Sequence, residues 1–182
     1  MKFKMLQHIS VALVVFGALT GCSNTPTKSP DVVENVRKSL DEGGLKDVSV
    51  SQDREKGIVT LAGTTGSEAE KLQAESVAKS FAGSQVVADQ IAVRPPGEEK
   101  IAKAVDSDLD DGIESNFHAV LVSHRLEHDM TYGVKNGVIT LSGTVNSQSK
   151  RSLVESMATG VPNVKQVVNE LQVKGQKATS SY

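Results

Sequence analysis

A chain of 182 residues carries 20 basic and 22 acidic side chains, a formal net charge of −2, one cysteine, no tryptophan and only 3 % aromatic residues. Such a balance gives no long-range pull toward nucleic acid or another polyanion, and so few rings leave little to stack on bases or sugars. A single cysteine excludes an internal disulfide.

The chain starts with Lys2 and Lys4, followed by an apolar run of 11 residues from Ile9 to Leu19. Crossing a bilayer takes roughly 20 apolar residues, so residues 1–21 read as a secretion leader rather than a membrane span. The leader closes on Leu19, Thr20, Gly21 and Cys22, and this string resembles the bacterial lipoprotein signal. The resemblance implies that Leu19-Thr20-Gly21 is recognised, that the Cys22 sulfur is acylated, and that Cys22 becomes the first residue after cleavage. Each buried CH₂ contributes about 0.8 kcal/mol and one chain holds only marginally, so two or three acyl chains make a stable anchor. Ser23, where Asp commonly retains such proteins at the inner membrane, resembles the outer-membrane class. The expected location is therefore the outer membrane, lipid-anchored and facing the periplasm. Residues 22–30 read as the acylated cysteine and a flexible tether, because they are polar, contain proline and show no apolar period.

Residues 57–93 align without a gap with residues 137–173, at an offset of 80, and eleven positions are identical. A period this long means two small domains rather than a solenoid. In the first copy, Pro30 and Asp31 precede the helical spacing of Val32, Val33, Val36 and Leu40. "VSVSQ" and "GIVTLAG" then alternate as strands, joined by the charged turn Asp53 to Lys56. The second copy has Asn136-Gly137 in this turn, a hairpin signal because both residues tolerate positive φ. Ser67 with Glu70 forms a capping-box pattern ahead of a second helix whose apolar stripe reads as Ala69, Leu72, Val77 and Phe81. The last strand alternates through Val87, Asp89, Ile91 and Val93, matched by Val167, Asn169, Leu171 and Val173.

The order α-β-β-α-β in each copy predicts an α+β fold of two small domains, each a three-stranded sheet with two helices packed on one face. The expected domains are residues 31–95 and 106–174, with a linker at 96–105 and a disordered tail at 175–182. Ile101, Val105, Leu109, Ile113, Phe117 and Leu121 recur every four residues, so the linker can merge into one helix reaching about His124. Gly112 and four nearby aspartates favour instead a helix starting near Asp110, with residues 97–108 partly helical.

The order of elements, the strand "GIVTLAGT" with its counterpart "GVITLSGT", and the closing strands "VVADQIAV" and "QVVNELQV" resemble the BON domain of envelope proteins. That resemblance implies a non-enzymatic protein, without cofactor, linked to outer-membrane integrity, osmotic stress and phospholipid binding. In family members that bind anionic phospholipid, the second domain makes the contact through its first helix and neighbouring loops. Carried over, this points to Ile113, Phe117, Leu121 and Lys135 as lipid-contact candidates. Phe117 falls opposite Arg37 at the offset of 80, which is compatible with exposure, and a place in the core is left equally open. Expected partners are the membrane through Cys22, anionic phospholipid, and outer-membrane or periplasmic proteins, with no nucleic acid. The other function class left open is a lipid-tethered periplasmic adaptor or holdase.

Gly57, Gly63, Gly137 and Gly143 bracket the same strand in both copies and read as structural turn residues. His118, His124 and His128 with Asp129 are the one cluster with metal character, but the strand expected to start at His128 separates them, so no metal site is predicted. Asp89 and Asn169 read as side chains bonded to nearby backbone. No acid–base pair recurs in the aligned copies, and no serine has a nucleophile context.

Overall fold

A computed structural model of the chain describes residues 28–128 and 130–175. The leader with Leu19, Thr20, Gly21 and Cys22, Asp129, and the tail beyond Gly175 lie outside the described residues. The first unit runs α1 (Val33–Glu42), β1 (Val48–Asp53), β2 (Ile58–Thr65), α2 (Glu68–Ala82) and β3 (Val86–Val93). The second runs α3 (Glu99–Ser123), β4 (Thr131–Lys135), β5 (Val138–Ser142), β6 (Thr144–Val145), α4 (Gln148–Thr159), β7 (Gln166–Asn169) and β8 (Gln172–Val173). Each unit is α-β-β-α-β in outline, with sheets ordered β1-β2-β3 and β4-β5-β7 and a short β6-β8 pair continuing the second.

Local chemistry sets these boundaries. The Ser67 hydroxyl accepts from the Glu70 N–H, and the Glu70 carboxylate accepts from the Gly66 N–H at 2.7 Å, a capping box displaced by one residue. The Ser147 hydroxyl likewise accepts from the Lys150 N–H at the start of α4, where lysine stands in place of Glu70. The second hairpin turns through Asn136 (φ 51°) and Gly137 (φ 82°), as two-residue hairpins require. Gly63 (φ 112°) has a further constraint: a Cβ there would stand 2.1 Å from the Asp47 carbonyl oxygen, which receives the Thr64 N–H.

Alternation along the strands separates two faces. Val59, Leu61, Val87 and Ile91 join Val36, Leu40, Ala74 and Ala78 in the first core; Ile139 and Leu141 join Ile113, Phe117, Leu121 and Val154 in the second. Residues one step along the strands point away from the helices. Ile58, Ala88, Val138 and Val168 cluster with Val86, so the two sheets pack face to face and the layers run helix, sheet, sheet, helix. Ile58 matches Val138 and Ala88 matches Val168 in the repeat, so both copies present the same surface.

Polar contacts rim this seam. The Gln166 amide donates to the Val87 carbonyl at 2.7 Å and accepts from the Asp89 N–H at 3.0 Å. Asn136 donates to the Gln90 carbonyl at 2.7 Å, and Lys56 meets Glu170 at 2.6 Å. Glu170 raises the Lys56 pKa, the ordinary outcome when an ammonium gains a close carboxylate.

Two sequence expectations are corrected. The stripe on α2 is not Ala69, Leu72, Val77 and Phe81: Leu72 and Phe81 are exposed, and Ala74, Ala78 and Ala82 are buried with Lys71. Small side chains let this helix sit close to the sheet. And α3 begins at Glu99, not near Asp110, so residues 99–105 of the expected linker are its first turns. The aspartates that argued against continuity hold the helix in place. Asp106 pairs with Arg94, and the Asp110 carboxylate accepts the N–H groups of Asn136 and Gly137 at 2.7 and 2.8 Å.

Placing an unpaired charge in the seam should uncouple the units. Ala88→Asp is expected to split thermal unfolding into two transitions where the unaltered chain shows one; a single unshifted transition would show that this face does not join them.

Candidate functional site

The repeat offset is not constant, and this decides which side chains face outward. Leu45 N–H bonds to Leu40 O after α1, and Leu126 N–H bonds to Leu121 O after α3. Leu40 and Leu121 are therefore equivalent, 81 residues apart rather than 80. Val32, Val36 and Leu40 thus correspond to Ile113, Phe117 and Leu121, all of them buried. The expected lipid contacts at Ile113, Phe117 and Leu121 are corrected: Phe117 is fully buried and meets Tyr132 edge-on, with ring centroids 4.9 Å apart. It replaces Val36, not Arg37.

The exposed apolar surface lies earlier on the same helix. Ile101, Val105 and Leu109 are 68, 51 and 41 % exposed. They continue the four-residue recurrence of the buried stripe, but a spacing of four drifts by about 40° per step around a helix of 3.6 residues per turn. Three steps from Leu121 the stripe has reached Leu109, at the edge of the packed face, and two more carry it to the open side. Lys100 and Lys103 are exposed beside it, as are Glu98, Glu99 and Asp108. Lys135 is exposed at the second hairpin, which Asp110 binds to the helix next to Leu109. Lys165 joins it there, its N–H bonded to the Gly137 carbonyl. The structure thus separates Lys135 from the three other sequence candidates, which are core, and sets it near the exposed half of α3.

His118, His124 and His128 are exposed, and among the described residues no group of three or more potential ligands is poised to hold a metal. Gly57 and Gly143, like Gly63 and Gly137, have positive φ. Among the described residues no helix is long and apolar enough to cross a membrane.

Asp89 and Asn169 serve the free edges of β3 and β7. Each accepts from the N–H two residues on, Ile91 or Leu171, at 3.1 Å. The carbonyls of these residues are taken by basic side chains that the sequence reading passed over: Lys71 Nζ reaches Ile91 O, and Arg151 Nε reaches Leu171 O, both at 2.9 Å. Lys71 and Arg151 are 80 residues apart and basic in both copies, which is the signal that could have marked them. Lys71 also stands 3.7 Å from Asp89 with both side chains nearly buried. Burial raises the Asp89 pKa, opposed by the Ile91 N–H and the Lys71 charge.

A model of the BON domain matches residues 29–95 and 109–175. The chain belongs to the BON-domain family. It is 32 % identical over 138 residues to osmotically-inducible protein Y of Escherichia coli (strain K12), covering 74 % of this chain and 67 % of that one. It is 28 % identical over 148 residues to the "uncharacterized protein in gshII 5'region" of Anaplasma centrale, covering 80 and 95 %. The solved C-terminal domain of CdsD, a structural protein of the type III secretion system of Chlamydia trachomatis, aligns over 77 % of this chain and 66 % of its own at 13 % identity. Its TM-score is 0.32, too low to equate the two folds. Both BON domains carry the same device at their last strand, a basic residue on the second helix closing the edge.

Phe117→Ala should destabilise the second BON domain by about 3–5 kcal/mol in urea unfolding; a change near zero would return Phe117 to the surface. Lys71→Met removes the charge that favours ionised Asp89, so the raised carboxyl pKa rises further. A raised carboxylate pKa means stability is lost as pH climbs from the unfolded value toward the folded one. The deficit of Lys71→Met should therefore be larger at pH 7 than at pH 4, where the remainder reflects the lost bond to Ile91 O; a pH-independent deficit would show no coupling to Asp89.

Proposed function

We propose that this BON-domain protein is a non-enzymatic, periplasm-facing outer-membrane lipoprotein, anchored through Cys22, that supports the envelope under osmotic stress by laying the exposed half of α3 on phospholipid. The likeness to osmotically-inducible protein Y supports the stress setting, and the string Leu19 to Cys22 supports the anchor. The single observation carrying the surface is the run Ile101, Val105 and Leu109, exposed on a helix whose later turns are core.

Magnitudes rank the forces. Full burial of a Val, Leu or Ile side chain contributes about 1.5–3 kcal/mol, whereas a lysine near an anionic surface contributes about 1 kcal/mol. Glu98, Glu99 and Asp108 oppose an anionic layer, while Asp106 is neutralised by Arg94. Apolar insertion is therefore the main term, and Lys100, Lys103, Lys135 and Lys165 bias the contact toward anionic headgroups. The acyl chains keep the body at the surface, so this contact need only be weak.

Flotation of the Cys22→Ala chain with zwitterionic and anionic vesicles tests the reading. The combined change of Ile101, Val105 and Leu109 to Ser should lower binding to both vesicles at least about tenfold. Lys135→Glu should weaken only anionic binding at low salt, by about two- to tenfold. Undiminished flotation of the triple variant would sink the helix contact. In cells, Cys22→Ala should leave the salt-washed membrane fraction; its retention there would remove the anchor.

A further inference from the structure

The outer edge of each sheet, away from β3 and β7, is treated differently in the two BON domains. In the first, the far end of β1 and the turn after it are held by the chain's own approach to α1, and an edge carbonyl is taken by a side chain of α1 itself. Ser29 N–H donates to Arg54 O at 2.9 Å, the Gln52 amide donates to Pro30 O and accepts from the Val32 N–H, and Arg37 reaches Val50 O at 3.3 Å. In the second, the residues corresponding to 29–32, one repeat later, are turns of α3 and cannot lie along a strand. His118 stands where Arg37 does, and Tyr132 where Val50 does.

The two-residue hairpin makes Lys135 and Val138 a hydrogen-bonded pair, so Gly133 and Thr131 also bond to β5. Tyr132 and Val134 then direct their N–H and C=O groups outward. Among the described residues no hydrogen bond reaches these four groups. Beside them a groove of about 360 Å³ runs between the helix and the strand, lined by Asp111, Glu114, Ser115, His118 and Tyr132. An open strand edge is a template for pairing, and the acids along this one set its preference. Glu114 stands close enough to Tyr132 to add to the rise in its phenol pKa, after burial.

We propose that the open edge of β4 binds an extended polypeptide segment rich in lysine or arginine, which adds as a fourth strand and sets its basic side chains against Asp111 and Glu114. The first domain supplies the contrast: there residues 29–32 and Arg37 bond to Arg54 O, the Gln52 side chain and Val50 O along the corresponding edge. Charge decides the occupant. Two copies pairing β4 to β4 would bring Asp111 and Glu114 of both against one another, whereas a basic strand neutralises them. Gly133, with open space around its Cα, leaves the middle of the strand approachable. The outward groups of the edge belong to Tyr132 and Val134, not to the apolar run Ile101, Val105 and Leu109, and Lys135 at the end of β4 is the residue that both surfaces share.

The test uses the full chain and three ten-residue probes: Lys alternating with Val or Thr, the same with Glu for Lys, and the Lys peptide interrupted by a central Pro. The Lys peptide alone should bind saturably and protect the Tyr132 and Val134 amides from exchange. Asp111→Lys with Glu114→Lys, both on the exposed side of α3, should weaken it at least tenfold. Val134→Pro removes an outward donor while sparing the bonds to β5, and should abolish binding with the circular dichroism of the fold retained. No saturable binding, equal binding of the Lys and Glu peptides, or unchanged binding by the charge-reversed chain would overturn the proposal. So would a dimer through β4 that excludes the peptide, or protection in the free chain that disappears on truncation after Gly175, since the occupant would then be a second copy or the tail.

Discussion

Two helices can cover only one face of a three-stranded sheet, and the other face of each sheet here is apolar. Ile58 and Ala88 on one side and Val138 and Val168 on the other must be kept from water, and each pair is the nearest cover for the other. The face-to-face seam is therefore the constraint from which the arrangement of the rest follows. It sets β3 beside β7, brings Gln166 onto the backbone of β3, and fixes where α3 must pass between the units. Because equivalent residues of the two copies meet, the seam behaves like an isologous interface within one chain. A substitution on either side changes the surface that its counterpart must fit.

With faces covered, edges become the remaining exposure, and the chain treats them by position. The inner edges are closed by Lys71 and Arg151 together with Asp89 and Asn169. Those carboxamide and carboxylate groups serve structure, which is why the apolar phase of the last strand accommodates a polar residue in both copies. The outer edges diverge. The first is partly covered from within the chain, and the second is left beside an acidic groove, so duplication has kept one plan of folding while giving the copies different outward chemistry.

Much of this was legible in the sequence. Ser67 and Glu70, Asn136-Gly137, the four glycines and the order of elements carry local information that does not depend on distant contacts, and the α-β-β-α-β order they predict is the one observed. What failed depended on register or on the third dimension. An ungapped offset of 80 holds from the second strand of each copy onward, but slips to 81 across the first helix, and that one residue moved Phe117 from the place of a core valine to that of a surface arginine. The stripe on α2 was misplaced because large apolar residues drew the reading away from Ala74, Ala78 and Ala82, whose small size is what the close helix–sheet contact needs. The seam between sheets had no signal in either copy alone, since Ile58 and Ala88, like Val138 and Val168, are covered by residues of the other copy.

α3 belongs to both the junction and the second core, and it has no break between its exposed and buried turns. Each residue of an α-helix turns the chain by about 100°, so the heading of Ile101 and Val105 is phase-locked to that of Phe117 and Leu121. One residue inserted after Gly112 would leave every side chain present and every contact type available, yet swing the outer apolar turns by more than a quarter circle about the helix axis. Loop-linked domains absorb such changes in length; this pair must conserve a count.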